Sequence, residues 1–361
     1  MILRYLDIKK HLLYLSEFIN YNMNKQAIGV IILLITGVLS AQNEIKSDRL
    51  YKDQTPLEIK IGYSNKDLNK NTNDSTFIIT SMAYLNEGKW AEIEVNLRAR
   101  GNFRRNECYF PPVKMKIKKK QYEGTLFDGN KTMKLVLPCK IESEKNDNVL
   151  QEFIAYKIYE RISPFHFKTR RVNIEFTEPR GKKIKEFQLQ GFLIEDDKRV
   201  AKRHGGKVME RFIHPMAMQH LTSVQNAFFQ FLLGNTDFSV AYQHNGKLLY
   251  VDKEIIPLPY DFDMTGWVNP SYATVNTTLG INSVQDRKYR GFKREQQYFD
   301  QVRAEFLAKK SELMDMVASF ESDFSDPKEY QNMYDFMGSF YEVLEDDKKF
   351  EKVIVAEART K

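Results

Sequence analysis

The chain is expected to fold as an α+β protein, rich in strands over its first half and helical at its end. Three observations predict this. Between Leu57 and Lys140 apolar residues recur at every second position, the period of half-buried strands. From Asp147 to Ile162 the spacing becomes helical, and Ser163-Pro164 stops it. The tail returns to helical spacing from Arg294 to Phe320 and from Lys328 to Phe350. This order suits two lobes with a cleft between them.

Composition sets the bounds. A chain of 361 residues that is 42% hydrophobic is long enough for a sizeable core. A charged fraction of 29%, with 25 Phe and 19 Tyr, excludes a disordered chain. Gly and Pro follow no period, which excludes a collagenous or linker-like protein. The formal net charge is +7, of which the leader carries +2 (Arg4, Lys9, Lys10 and Lys25 against Asp7 and Glu17). The remainder is mildly basic, suited to acidic or phosphorylated partners as well as to a solvated surface. Nucleic acid is not expected among the partners.

Lys25 precedes the apolar run from Ala27 to Leu39, which leads into Ser40-Ala41-Gln42. A basic residue, a short apolar core and small residues at the exit form a secretory signal peptide, here about 23–41. The run falls short of the ~20 apolar residues that span a bilayer. Met23 stands where such a leader should start, so 1–22 is either an upstream extension or a long n-region. Export to the periplasm, cell surface or medium follows, with no membrane span once the leader is removed. The two cysteines, Cys108 and Cys139, both lie in the exported part. An oxidising compartment permits one bridge between them, and two buried thiols are the alternative.

The elements then run in order. Residues 1–41 are leader and 42–56 a loose polar lead-in. The strand-rich part covers 57–195 and includes the helix 147–162. Ala91, Ile93, Val95 and Leu97 alternate with polar residues, as do Val113, Met115 and Ile117 with Lys114, Lys116 and Lys118. Lys134–Leu137 is a further short strand, and Asn86-Glu87-Gly88, Gly101-Asn102 and Asp128-Gly129-Asn130 mark turns. Strands follow at Arg171–Thr177 and Glu186–Glu195. The second, more helical part covers 196–361, with a helix from Ser223 to Leu233 and strands at Lys247–Val251 and Ile255–Leu258.

Four polar clusters carry chemistry. Arg98, Arg100, Arg104 and Arg105 surround the turn Gly101-Asn102. Lys114 and Lys116 share one face of a strand. Asn235-Thr236-Asp237 follows an apolar helix, and Tyr260-Asp261-Phe262-Asp263 follows an apolar strand. Carboxylates at the end of a helix and of a strand suit a hard divalent cation, because magnesium takes one or two of them and leaves its other positions to phosphates and water. Lysine on a rigid strand supplies the opposing charge. The P-loop, dinucleotide, zincin and nucleophile-elbow motifs are all missing from the sequence.

In this order the clusters resemble those of the spore-coat protein H (CotH) kinase family, over roughly Arg98 to Trp267. Arg100-Gly101-Asn102, Val113–Ile117, Asn235-Thr236-Asp237 and Pro259–Asp263 carry the resemblance, which is similar to a secreted subgroup of that family. It implies an atypical protein-kinase-like fold with a strand-rich N-terminal lobe and a helical C-terminal lobe. It also implies phosphate transfer from ATP or another nucleotide, with Mg²⁺ or Mn²⁺, to a protein hydroxyl or a glycan. By resemblance, Asp237 orients the acceptor hydroxyl, Asp261 and Asp263 bind metal, and Lys116 or Lys114 meets the phosphates. Glu152 pairs with that lysine, Arg100 and Asn102 serve as the phosphate turn, and Glu195 closes the strand near the base. The family's metal-binding Asn five residues after the catalytic acid is replaced by Tyr242, which leaves Asn245 as the candidate. That departure opens two alternatives: a catalytically weak binding module of the cell envelope, and a structural envelope protein holding an anionic polymer.

Overall fold

The computed structural model describes residues 49–101, 103–141 and 145–360. The leader and Asn102 lie outside the described residues. Seven strands, β1 (Leu57–Gly62), β2 (Ile78–Asn86), β3 (Lys89–Ala99), β4 (Val113–Ile117), β5 (Thr132–Val136), β6 (Thr169–Arg180) and β7 (Lys183–Glu195), form a closed barrel in the order β1-β2-β3-β4-β5-β7-β6. All neighbours are antiparallel except β1 and β6, which pair in parallel from Leu57↔Val172 to Gly62↔Thr177 and close the sheet. The seam is tight: a Cβ at Gly62 would stand 2.3 Å from Thr177 Oγ1, so only glycine fits there without a shift.

The two-residue period decides what fills the barrel. Along β3, Ile93, Val95 and Leu97 point inward and are buried, whereas Glu94, Asn96 and Arg98 point outward. Ile59, Met82, Met115, Leu135, Ile174 and Leu193 join them in one core.

Eight α-helices of five residues or more accompany the barrel among the described residues: α1 (Asn65–Asn71), α2 (Phe103–Glu107), α3 (Lys145–Ile162), α4 (Asp197–Arg203), α5 (His220–Leu232), α6 (Gln296–Ala308), α7 (Lys310–Ala318) and α8 (Pro327–Glu345). A second sheet of β8 (Lys207–Met209), β9 (Gly246–Val251) and β10 (Glu254–Pro259) has the order β10-β9-β8. α3 lies on the outer side of β7. There Phe192 and Ile194 join Phe153 and Tyr156 of α3, Phe228 and Phe229 of α5, and Phe340 of α8 in one continuous core.

This corrects the expected two-lobed kinase-like fold. The first half does not end as an open sheet in a lobe of its own, because β1 and β6, 115 positions apart, join and close it. The helix placed in the first lobe also shares its core with the helices of the second half. The α+β class holds. Cys108, just after α2, and Cys139, just after β5, form a disulfide with Cα atoms 4.5 Å apart. Closing a loop of this length stabilises the fold by about 3–4 kcal/mol in the chain-entropy account. No helix among the described residues is long and apolar enough to cross a membrane.

Candidate functional site

The acidic turn is placed by the end of β10, where Pro257, Leu258 and Pro259 are buried. Phe262 anchors it, fully buried, with ring centroids 4.6 Å from Tyr156 and 5.3 Å from Phe229. Asp261 has φ +68°, a left-handed conformation that costs a non-glycine residue energy and that recurs at functional sites. Its amide donates to the Tyr156 hydroxyl at 3.1 Å.

Asp263 is buried and hydrogen-bonded to the Asp261 carboxyl group. Arg104, from α2, sets its Nε 3.4 Å from Asp263 Oδ2 and its Nη1 3.5 Å from Glu152 Oε2, while its Nη2 donates to the Leu137 carbonyl at 3.1 Å. Burial pushes the Asp263 carboxyl up to about 7; Arg104 opposes this and the charge of Asp261 adds to it. Burial raises Glu152 in the same way, again against Arg104. Burial wins in both because one guanidinium is divided between two carboxyl groups.

Lys134, on β5, lies beside this turn. Its side chain is buried, with Nζ 4.6 Å from the ring centroid of Tyr260 and 4.9 Å from that of Phe167, and Nζ has no hydrogen-bond partner. Burial lowers its pKa to about 8; Asp197 and Asp196 pull it up, and Arg100 and Lys247 push it down. Arg100 donates to the Tyr260 hydroxyl, with its guanidinium 5.3 Å from that ring centroid. A buried acceptor ring therefore carries two cations, and one of them lacks a partner.

Asp237 follows α5 after Gly234, whose φ of +59° ends the helix. Asn235, itself fixed by Gln230, accepts from the Asp237 amide at 2.9 Å. The half-exposed carboxylate meets His244 Nε2 at 3.0 Å through Oδ1 and Asn245 Nδ2 at 3.2 Å through Oδ2. Asn245 Nδ2 also donates to the Asp237 carbonyl at 2.6 Å, and the Asn245 carbonyl accepts from the Tyr260 amide at 3.4 Å. Asn245 thus joins Asp237 to the residue just before Asp261. Burial lowers the pKa of the nearby Arg290, against the charge of Asp237.

The structure brings Arg100, Glu152, Asp261 and Asp263 into one polar cluster, with Asp237 and Asn245 adjoining. It sets Lys116 apart: that residue is exposed on β4, its ammonium 5.7 Å from the Phe77 ring. Lys114 stands across the ladder from Lys134 and near Asp196. Glu152 meets Arg104 rather than a strand lysine. Glu195 is buried and engaged by Arg203 and by Arg199, the latter at 3.3 Å. Tyr242 is 78% exposed, its ring 5.2 Å from that of Phe212.

Lys134, Arg104 and Tyr260 are the residues that sequence reasoning left without a role. The available signal was the unbroken apolar setting of Lys134, in Met133–Leu137, where a lysine at alternate spacing has no wet face. Among the described residues no three His, Cys, Asp or Glu side chains are set to hold a metal unaided. No protein-family model matches the chain, and no curated protein matches it.

Proposed function

We propose that the chain binds a nucleotide with a divalent cation and transfers phosphate to a hydroxyl outside the cytoplasm, on a protein or a glycan. One observation carries this reading: the buried, unpartnered ammonium of Lys134 lies over the ring of Tyr260, the residue that leads into the left-handed Asp261 and the acidic turn. An ammonium without a partner in the interior costs free energy until an anion meets it. Two carboxyl groups held in hydrogen-bond contact offer a cation the place of the proton between them. These donors fit Mg²⁺ or Mn²⁺ with a nucleotide better than a metal alone. The proposal keeps the activity that the CotH resemblance implies and leaves out its two-lobed architecture.

Asp261 and Asp263 would hold the cation, and Lys134 with Arg100 would meet the phosphates. Asp237 would accept the proton of the acceptor hydroxyl, with His244 and Asn245 fixing its carboxylate. When bound, the cation would neutralise phosphate charge. A second reading, nucleotide binding with little turnover, is favoured by Arg104, which already pairs with Asp263 and Glu152, and by Tyr242 at the expected amide position.

Thermal unfolding with ATP, with and without Mg²⁺ or Mn²⁺, tests both readings, together with phosphate release. Nucleotide and metal should stabilise the protein jointly, and neither Asp261→Asn nor Lys134→Met should retain that gain. Transfer by Asp261→Asn should fall by at least about a hundredfold. If nucleotide leaves the melting temperature of the wild type unchanged with either metal, both readings are wrong. Stabilisation without phosphate transfer selects the second.

A further inference from the structure

A cavity of about 670 Å³ opens between α1 and the far end of the β6–β7 hairpin. Ser64, Lys66, Asn69, Tyr109, Glu178 and Arg180 are among the residues that line it, and neither Asp237, Asp261 nor Lys134 is. β1 pairs with β6 only as far as Thr177, and β5 meets β7 only from Phe192 to Glu195. In the strand ladder the last residues of the hairpin therefore pair only with each other, and they run past the rest of the barrel.

The wall at this end is a built polar surface. Glu178, 3% exposed, accepts from the Asn65 amide at 3.3 Å, from Arg180 Nε at 2.8 Å and from the Tyr109 hydroxyl. Its charge is thus met from within. Register places Lys183 opposite Arg180 and Lys185 opposite Glu178. Residues paired across a ladder leave the same face, so both lysines share the face of two residues that line the cavity. With Lys66 and Lys182 they make four lysines against Asp67, because Arg180 and Glu178 neutralise each other.

We infer that this cavity binds an acidic saccharide. Its volume lies in the range of small-ligand sites. Side chains that bond hydroxyl groups line it together with Lys66, and Lys182, Lys183 and Lys185 stand at the adjoining hairpin tip, which matches a chain of hydroxyls with carboxylate or sulfate groups. A bilayer would call for a convex, apolar contact instead. A nucleic acid would call for an open aromatic face, and the guanidinium of Arg180 already lies 5.3 Å from the Tyr109 ring centroid. The site is separate from the proposed phosphate-transfer centre and stands or falls without it.

Isothermal titration of the full chain with oligogalacturonate, against neutral dextran oligomers and inorganic phosphate, tests the inference. Oligogalacturonate should bind, more weakly as salt rises, and dextran and phosphate should not. Lys183→Ala and Lys185→Ala, at an exposed tip remote from either core, should each weaken binding about tenfold. Lys66→Ala, across the cavity, should do the same. Asp261→Asn should bind as the wild type does, which separates this site from the other. The inference is overturned if oligogalacturonate fails to bind at low salt, if phosphate or anionic lipid vesicles bind as well as it does, or if the lysine variants bind like the wild type.

Discussion

Arg104 and Asp263 meet inside the protein, Nε to Oδ2 at 3.4 Å, with both side chains less than a tenth exposed. The same guanidinium reaches Glu152, so one cation stands between two buried acids. Removing one partner of such a group leaves the others uncompensated in a poor solvent for charge. Arg104→Met is expected to destabilise the fold by about 3–5 kcal/mol in urea unfolding. Adding Glu152→Gln and Asp263→Asn to it should restore part of the loss. A single variant as stable as the wild type would show that the cluster is not held by charge.

The disulfide bears on the same residue. Cys108 follows α2, its amide donates to the Arg104 carbonyl at 3.0 Å, and the Tyr109 amide donates to the Cys139 carbonyl at 2.8 Å. The bridge therefore ties the helix that carries Arg104 to the end of β5. Replacing both cysteines by serine should cost about 3–4 kcal/mol of stability. It should also weaken nucleotide-dependent stabilisation while the barrel remains folded, read by circular dichroism. If stability falls and nucleotide stabilisation is unchanged, the bridge does not position Arg104.

Local patterns were legible, and closure was not. The alternation of Ile93, Val95 and Leu97 marked β3, and the spacing from Val149 to Tyr159 marked α3, because each element's own neighbours set those periods. The sequence also placed Asp237 after a helix and Asp261 after a strand. Pairing of β1 with β6 depends on contacts between Ile59 and Ile174, over a hundred positions apart, and no local period encodes that. The sequence offered Lys114 and Lys116 for the phosphates and did not single out Lys134, for a related reason. All three sit on strands, but only β5 has its outer side covered at Lys134, by Tyr260 and Phe167 from distant parts of the chain.

Lys134 predicts a pH dependence of stability. Its folded pKa of about 8 lies below the ordinary lysine value of 10.5. Below pH 8 both folded and unfolded chains hold the proton, and the cost of burying the charge is fully felt. Between about pH 8 and 10.5 the unfolded chain keeps a proton that the folded one has lost, so stability rises with pH. The gain over this window is on the order of 3 kcal/mol. Lys134→Met removes it, so the stability difference between variant and wild type should shrink as pH rises from 8 to 10. The apolar variant should be at least as stable as the wild type at pH 7. A constant difference across that range would contradict the buried, partnerless ammonium.

Asp237 and Asp261 should separate in function, because Asn245 joins their elements without merging their surroundings. The Asp237 carboxylate is half exposed and held by His244 and Asn245, whereas Asp261 adjoins the buried cluster of Asp263, Glu152 and Arg104. Asp237→Asn keeps shape and loses the proton acceptor. It should keep the nucleotide-dependent rise in melting temperature and lose about a hundredfold or more in phosphate transfer. Asn245→Gly retains the left-handed backbone, φ +50°, and removes only the side-chain clamp. It should lower kcat about tenfold with little change in KM for nucleotide, since a loosened base misplaces the acceptor and not the phosphates. Loss of nucleotide binding in Asp237→Asn would assign that residue to the phosphate site instead.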